Sequence, residues 1–354
     1  MINSNLSLHS FKSIQPLYQE GQARLIDWIV DKHSESMQLS EHPDRERLGN
    51  VLKRFCVSER QISKRHFETD REKIYHLTRE NISGLGIGER HTVFGKRAVE
   101  VFREIYSDQS KPDHVIHVTC TGYLSPSAPQ IYFSEDDNAP EITHAYHMGC
   151  YASLPAVRMA EALSLSRRQN VDIVHTEMCS LHLNPAEHTP EQMVVQTLFA
   201  DGHMKYSVSP KTLGRRLEVK SIKERIIPDS ANDMTWVPSP VSLQMSLSKE
   251  VPEKIRGHLP QFIRELTQGH YGNYLYAIHP GGPKIIDLIQ AQLELSDEQV
   301  AFSRKVLKER GNMSSATLPH VWKEIMDSDY EGKVISLAFG PGLTIFGGMF
   351  EASR

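Results

Sequence analysis

The chain has 354 residues, room for one large domain or two medium ones, and 39% hydrophobic against 24% charged residues is the balance of an ordinary globular protein. A net charge of −4, from 40 basic and 44 acidic side chains, excludes a global pull toward nucleic acid or an anionic membrane surface. Residues 1–7 are polar and no apolar run approaches the roughly 18 to 20 residues that span a bilayer, so neither a signal peptide nor a membrane span is expected.

In chain order, Leu17, Leu25, Trp28 and Ile29 have helical spacing and predict a helix over 14–33. Leu48, Val51, Leu52 and Phe55 predict a second over 44–57, with Lys53 and Arg54 between the apolar positions. Residues 66–92 read as polar and irregular, and helical spacing resumes over 97–107. An alternation follows: strand at 114–120, loop at 122–126, strand at 142–148, helix from Cys150 to about Ser166, strand at 171–178, helix at 190–199. Residues 205–208 and 217–226 are β-like, and 228–240 is a polar, proline-rich stretch. A second alternation closes the chain, with strands at 274–279, 334–339 and 343–350 and helices at 283–293, 297–311 and 315–326. Both halves have the same kind of element order, which predicts a pseudo-duplicated α/β fold with halves 1–210 and 211–354.

Four motifs carry candidate chemistry. The cysteines, 56, 120, 150 and 179, form no CxxC pair, and reduced thiols in the cytoplasm are the natural reading. In Tyr146-His-Met-Gly-Cys150 a strand runs through a glycine to a cysteine where a helix is expected to begin. Helix N–H donors there favour thiolate and predict a depressed pKa, although a small buried core cysteine also fits the position. His279 ends an apolar strand before the stiff turn Pro280-Gly-Gly-Pro283. Asn312, in Gly311-Asn-Met-Ser-Ser-Ala316, reads either as a neutral donor or as an N-cap. Ala338-Phe-Gly340-Pro341-Gly342 reads as a pocket wall or a tight turn.

The ordered combination of Cys150, HPGGP from His279, GNMSSA with Asn312 and FGPGLT resembles a type III polyketide synthase of the chalcone-synthase-like kind. Leu52-Lys-Arg-Phe-Cys56, Leu198-Phe-Ala-Asp-Gly202 and Lys249-Glu-Val-Pro252 extend the likeness over nearly the whole chain. The resemblance implies a five-layered αβαβα thiolase-like fold and a homodimer. It implies Cys150 as the acyl-accepting nucleophile, completed by His279 and Asn312, with acyl-CoA and malonyl-CoA as substrates and no metal or further cofactor. Phe199 takes a gatekeeper position, and Met245 stands where the family usually has a second Phe. Cys179, His182, Ser314, Gly340 and Pro341 are carried over as substrate-pocket residues, with a satisfied core histidine equally open for His182. Arg54, or Lys53 or Arg60 beside it, is expected to meet the CoA phosphates, since the neighbouring family positions fall on Val51 and Ser58. Ser125 stands where the family often sends a Met into the partner's pocket. The segments CTGYLSPSAPQ and HMGCYASLPAVR resemble bacterial alkylpyrone and alkylresorcinol synthases, which implies a fatty acyl starter and a pyrone or resorcinol-type product. The alternative is a β-ketoacyl carrier-protein synthase III-like enzyme, although His-Gln-Ala-Asn would more typically stand where this chain has HPGGP.

Overall fold

A computed structural model describes residues 6–41, 51–108, 110–167, 170–210, 214–270 and 272–354. Among these, nine strands form one sheet in the order β11-β12-β13-β8-β1-β7-β6-β4-β5, and its ranges explain the order. The first half supplies β1 (Leu6–Ile14), β4 (His114–Thr119), β5 (Glu141–Tyr146), β6 (Val171–Met178) and β7 (Asp201–Pro210). The second supplies β8 (Arg216–Ile226), β11 (Leu275–Ile278), β12 (Gly332–Gly340) and β13 (Thr344–Ser353). β4 pairs parallel with β6, β6 antiparallel with β7, and β7 antiparallel with β1. β11 pairs parallel with β12, β12 antiparallel with β13, and β13 antiparallel with β8. The two sets are therefore built alike, and they meet where β1 pairs antiparallel with β8.

Two buried helices lie in the middle of the molecule. Helix α3 (Ser153–Arg167) brings Leu154, Ala156, Val157 and Ala160, and helix α8 (Thr317–Asp327) brings Leu318, Val321, Trp322 and Ile325, into one core with both strand sets. On the outer face of the first set lies α2 (Ile87–Tyr106), which packs Phe94, Phe102 and Ile105 against Val115 and Val174. Over the second set lie α5 (Val251–Leu266), α6 (Pro283–Gln292) and α7 (Asp297–Arg310), which pack against Ile278, Leu337 and Ile345. Helices outside, two strand layers and helices between make five layers, the expected α/β class.

Several elements depart from the expected ones. The N-terminal helix was expected over 14–33. Instead β1 runs to Ile14, and Tyr18–Gly21 (β2) pairs antiparallel with Lys64–Phe67 (β3) before α1 begins at Gln22 and runs to Leu39. Pro16 holds its surroundings extended, and Leu17, an apolar position in the helical reading, is 61% exposed. The first half of the helix expected at 44–57 falls outside the described residues; Val51 and Leu52 are helical, and a short 3₁₀ turn, Lys53–Phe55, follows. Helix α2 starts well before residue 97, where the Glu89 carboxylate accepts from the Gly86 N–H. Helix α5 was not expected at all. Its stripe of Val251, Ile255, Leu259, Phe262 and Leu266 is buried, and Pro252 stands in the first turn, where a missing N–H costs little. Finally, Met234–Pro238 (β9) and Leu243–Leu247 (β10) form a hairpin across the stretch that reads as polar loop.

Candidate active site

The site lies where the two central helices begin. Cys150 precedes α3 and Asn312 precedes α8, so the like-built halves each point one chain turn at the same place. Cys150 is not at the first turn of its helix, as the sequence suggests; it sits in a turn before Ser153, with Ala152 N–H donating to Gly149 O at 3.1 Å. Gly149 is required here: its φ is +85°, and a Cβ would come within 2.5 Å of the Pro341 ring. The Gly340-Pro341-Gly342 turn thus packs directly on the Cys150 loop, and Gly340 leaves room for the Tyr151 ring in the same way.

The thiol of Cys150 is 8% exposed and donates to Ser314 Oγ over 3.9 Å. Burial pushes its pKa up to about 12; the Ser314 hydroxyl, the Asn312 amide and its own backbone N–H favour the thiolate, while the Glu177 carboxylate opposes it. The expected depressed pKa is therefore corrected. Without a helix turn directly at the cysteine, desolvation outweighs the nearby donors, and the resting group is a neutral thiol.

His279 follows β11 and extends its pairing, since its N–H donates to Leu337 O at 2.7 Å. The ring is 1% exposed, and neither Nδ1 nor Nε2 has a hydrogen-bond partner. Burial lowers its pKa to about 3, so the imidazole is neutral. Burial thus favours the neutral form of both groups. Asn312 is oriented by its own loop: Oδ1 accepts the Ser314 backbone N–H at 2.9 Å, which leaves the amide NH₂ for the Cys150 side. A 3₁₀ turn, Ser314–Ala316, begins two residues on and runs into the helix at Thr317, whose hydroxyl also donates to Asn312 Oδ1 at 3.2 Å, so the oxygen side of the amide acts as a cap while the NH₂ side stays open as a donor.

A cavity of about 350 Å³ opens on Cys150, lined by Cys120, Cys179, Phe199, Trp236, Met245, Ser314 and Pro341 among others. A second, of about 300 Å³, shares Cys179, Phe199, Trp236 and Met245 as a wall and continues to His182, Leu183, Val195 and Leu243. Phe199, Met245, Cys179, Ser314 and Pro341 thus lie together around the first cavity. His182 lines the second cavity, but its ring is used by the protein: Nε2–H donates to Thr121 O at 2.8 Å and Nδ1 accepts the Leu243 N–H at 3.1 Å. It fastens the β9–β10 hairpin to the loop after β4.

Lys53 and Arg54 stand exposed on the 3₁₀ turn and line neither cavity, and Lys53 is ion-paired with Asp27 at 2.5 Å. Ser125 is exposed beside Leu124.

Three site residues escape a reading by motif. Cys120 lies against the Cys150 loop, its sulfur accepting the Gly149 N–H at 3.1 Å. Glu177, buried at the end of β6, accepts from the Cys120 N–H at 3.1 Å, from the Thr121 hydroxyl at 2.7 Å and from Ser315. It locks the loops on both sides of Cys150 together, and burial raises its pKa to about 6. Trp236 forms part of the wall between the cavities, stacked on Phe199 and edge-on to His182. The period-two run Met234-Thr-Trp-Val, followed after a Pro-containing turn by Leu243-Gln-Met-Ser-Leu, is the signal that would have found the hairpin.

Residues 218–352 match the family model of the chalcone and stilbene synthase C-terminal domain. The structure superposes with a TM-score of 0.83 on the C-terminal type III polyketide synthase domain of Steely1, a type I/III hybrid from Dictyostelium, at 24% identity over 99% of this chain and 100% of that one. It superposes equally, at 0.83, on PKS-I from the brown alga Ectocarpus siliculosus, at 18% identity over 98% and 99% of the two chains. His279 and Asn312 fall inside the matched family domain, and Cys150 falls in the part matched by fold. The chain thus has the thiolase-like fold of type III polyketide synthases, and its residues 218–352 match the chalcone and stilbene synthase C-terminal domain.

Proposed function

We propose that this enzyme loads an acyl-CoA starter on Cys150, extends it with malonyl-CoA by decarboxylative Claisen condensation, and releases a pyrone or resorcinol-type product. The observation that carries the reading is a cavity that ends on the buried Cys150 thiol, in a protein where His279 is a buried imidazole with both nitrogens unpartnered. A buried polar atom without a partner is costly, and a substrate oxygen or sulfur is the natural group to satisfy it.

In loading, the Cys150 sulfur attacks the thioester carbon of the starter and the bond from that carbon to the CoA sulfur breaks. The neutral imidazole of His279 takes the thiol proton and returns it to the departing CoA thiolate. In extension, malonyl-CoA loses carbon dioxide and the electron pair moves onto its thioester oxygen. The Asn312 amide and the imidazole N–H donate to that oxygen. The resulting carbon nucleophile attacks the acyl carbon on Cys150, the bond from that carbon to the Cys150 sulfur breaks, the sulfur leaves as thiolate and regains a proton, and the lengthened chain leaves on CoA.

The fatty starter is favoured by the cavity lining. Met245 is unbranched and flexible, and Leu183, Val195 and Leu243 line the cavity beyond it, together with Gln192, Gln196 and His182. Arg54 is proposed to meet the CoA phosphates, and the protein to act as a homodimer in the cytoplasm. Among the described residues no helix is long and apolar enough to cross a membrane. The test is one series of acyl-CoA starters with malonyl-CoA, read by mass spectrometry and CO₂ release. Each methylene buried contributes about 0.8 kcal/mol, so kcat/KM should climb about fourfold per carbon until the path is full. A flat profile, or a preference for benzoyl-type CoA, removes the fatty starter; an absolute need for a carrier protein removes the synthase reading itself.

A further inference from the structure

Arg65, on β3, is 1% exposed, yet all its hydrogen bonds go to neutral oxygens. Nε donates to Gln22 Oε1 at 2.8 Å, and Nη1 donates to Gln196 O at 2.9 Å and Phe199 O at 2.7 Å, while Nη2 is buried with no partner. Helix α4 (Pro190–Leu198) ends here, so the guanidinium meets carbonyls that the helix leaves unpaired, at its negative end. The aliphatic stem faces the other way. A Cβ on Gly311 would stand 3.1 Å from Arg65 Cγ and 3.2 Å from Cδ, and Gly311 has a φ of +74°. The loop into Asn312 therefore lies directly on the arginine. Between the two, Asn312 N–H donates to Leu198 O at 3.0 Å and Ala200 N–H donates to Asn312 O at 2.8 Å, a parallel bridge that joins Phe199 to Asn312.

Burying a cation on neutral partners is a costly way to fill space, and an apolar side chain of similar volume would pack at lower cost. The fork geometry of a guanidinium is what lets one side chain hold two carbonyls and a side-chain amide at once. We infer that Arg65 is a positioning residue: it clamps the end of α4 against the Gly311–Asn312 loop and so sets both the Phe199 wall and the Asn312 donor. It touches no substrate and acts through those two residues. The inference rests on the donor role proposed for Asn312.

The test uses the full-length protein with Arg65→Met and Arg65→Lys, alone and combined with Asn312→Ala. Starter loading on Cys150 is read by intact mass, malonyl-CoA decarboxylation by CO₂ release, and the clamp itself by amide hydrogen exchange at Ala200 and Asn312. Losing charged hydrogen bonds should slow decarboxylation by about 10- to 100-fold in Arg65→Met, with loading changed by less than about threefold. Exchange at the Ala200 and Asn312 amides should speed up while amides between β12 and β13 do not, and Arg65→Lys should recover part of both. Because Arg65 acts through Asn312, the double variant Arg65→Met/Asn312→Ala should decarboxylate no more slowly than Asn312→Ala alone. Equal loss of loading and decarboxylation, additive losses in the double variant, or unfolding of both Arg65 variants at the assay temperature would each reduce Arg65 to a stability residue. If the wild type neither loads nor decarboxylates, the synthase reading fails, and the exchange measurement still decides whether Arg65 is the clamp.

Discussion

The indole N–H of Trp236 donates to the carbonyl of Cys120 at 2.7 Å, bolting the β9–β10 hairpin onto the loop that supports Cys150. The same ring lies in the wall shared by the two cavities, so one side chain both fixes and divides the site.

Two replacements separate those roles. Trp236→Phe keeps an apolar ring against Phe199 but leaves the Cys120 carbonyl without its donor. It should retain the starter preference of the wild type while lowering turnover. Trp236→Ala should merge the two cavities, and the optimum of an acyl-CoA series, read as kcat/KM, should move to longer chains. An unchanged optimum in Trp236→Ala would show that the ring does not limit the acyl path.

Cys150→Ala should abolish loading, and iodoacetamide should inactivate the wild type at Cys150 in preference to Cys120 and Cys179, whose thiols burial raises well above the usual range. With the Cys150 pKa near 12, the alkylation rate should rise about tenfold per pH unit from about pH 6 to about pH 9. A rate already at its plateau near pH 6 would show a preformed thiolate and contradict the neutral thiol.

Asn312→Ala removes a donor to the developing enolate oxygen and leaves the thiol in place. Decarboxylation should fall by on the order of 10²–10³ while starter loading persists, the usual size of one lost oxyanion donor. Parallel loss of the two steps, measured by CO₂ release and intact mass, would make Asn312 a structural residue.

Buried histidines should make the fold acid-labile. Burial lowers His117, His175, His182 and His279 to about 3 and His33 to about 4, below the ordinary value of 6.5. The unfolded chain therefore binds more protons between those values and pH 6.5, and stability present above pH 6.5 is lost as pH falls toward 3. Glu177 and Asp201 run the other way. Burial raises them to about 6 and about 7, so their contribution is present below about pH 4 and is lost as pH rises through 6 to 7. Five histidines against two carboxylates give a net loss on acidification, on the order of 1–2 kcal/mol per histidine by pH 5. The urea midpoint should fall steadily from about pH 7 to about pH 5; a midpoint that rises over that range would reverse the sign of this balance.

The sequence by itself determined the alternating strands and helices of both halves, because Leu275–Ile278 is an apolar run ahead of the Pro280-Gly-Gly-Pro283 turn and Val171–Met178 is rich in β-branched residues. It also singled out Cys150, His279 and Asn312 as candidates, since each stands near a strand or helix end beside glycine or proline, where local backbone rules are strong. The strands β1, β2, β9 and β10 were not legible: they are short or carry polar residues at half their positions, and their conformation comes from partners far along the chain. The protonation of the site was decided only by the tertiary structure. Local reading assigns Cys150 to a helix start and hence to a thiolate, whereas burial from all sides, with Glu177 nearby, makes it a neutral thiol. Desolvation is the sum of everything that packs around a group, and no local motif records it. The clamp of Arg65 and the wall of Trp236 are of the same kind, each a set of contacts between segments that the chain order keeps far apart.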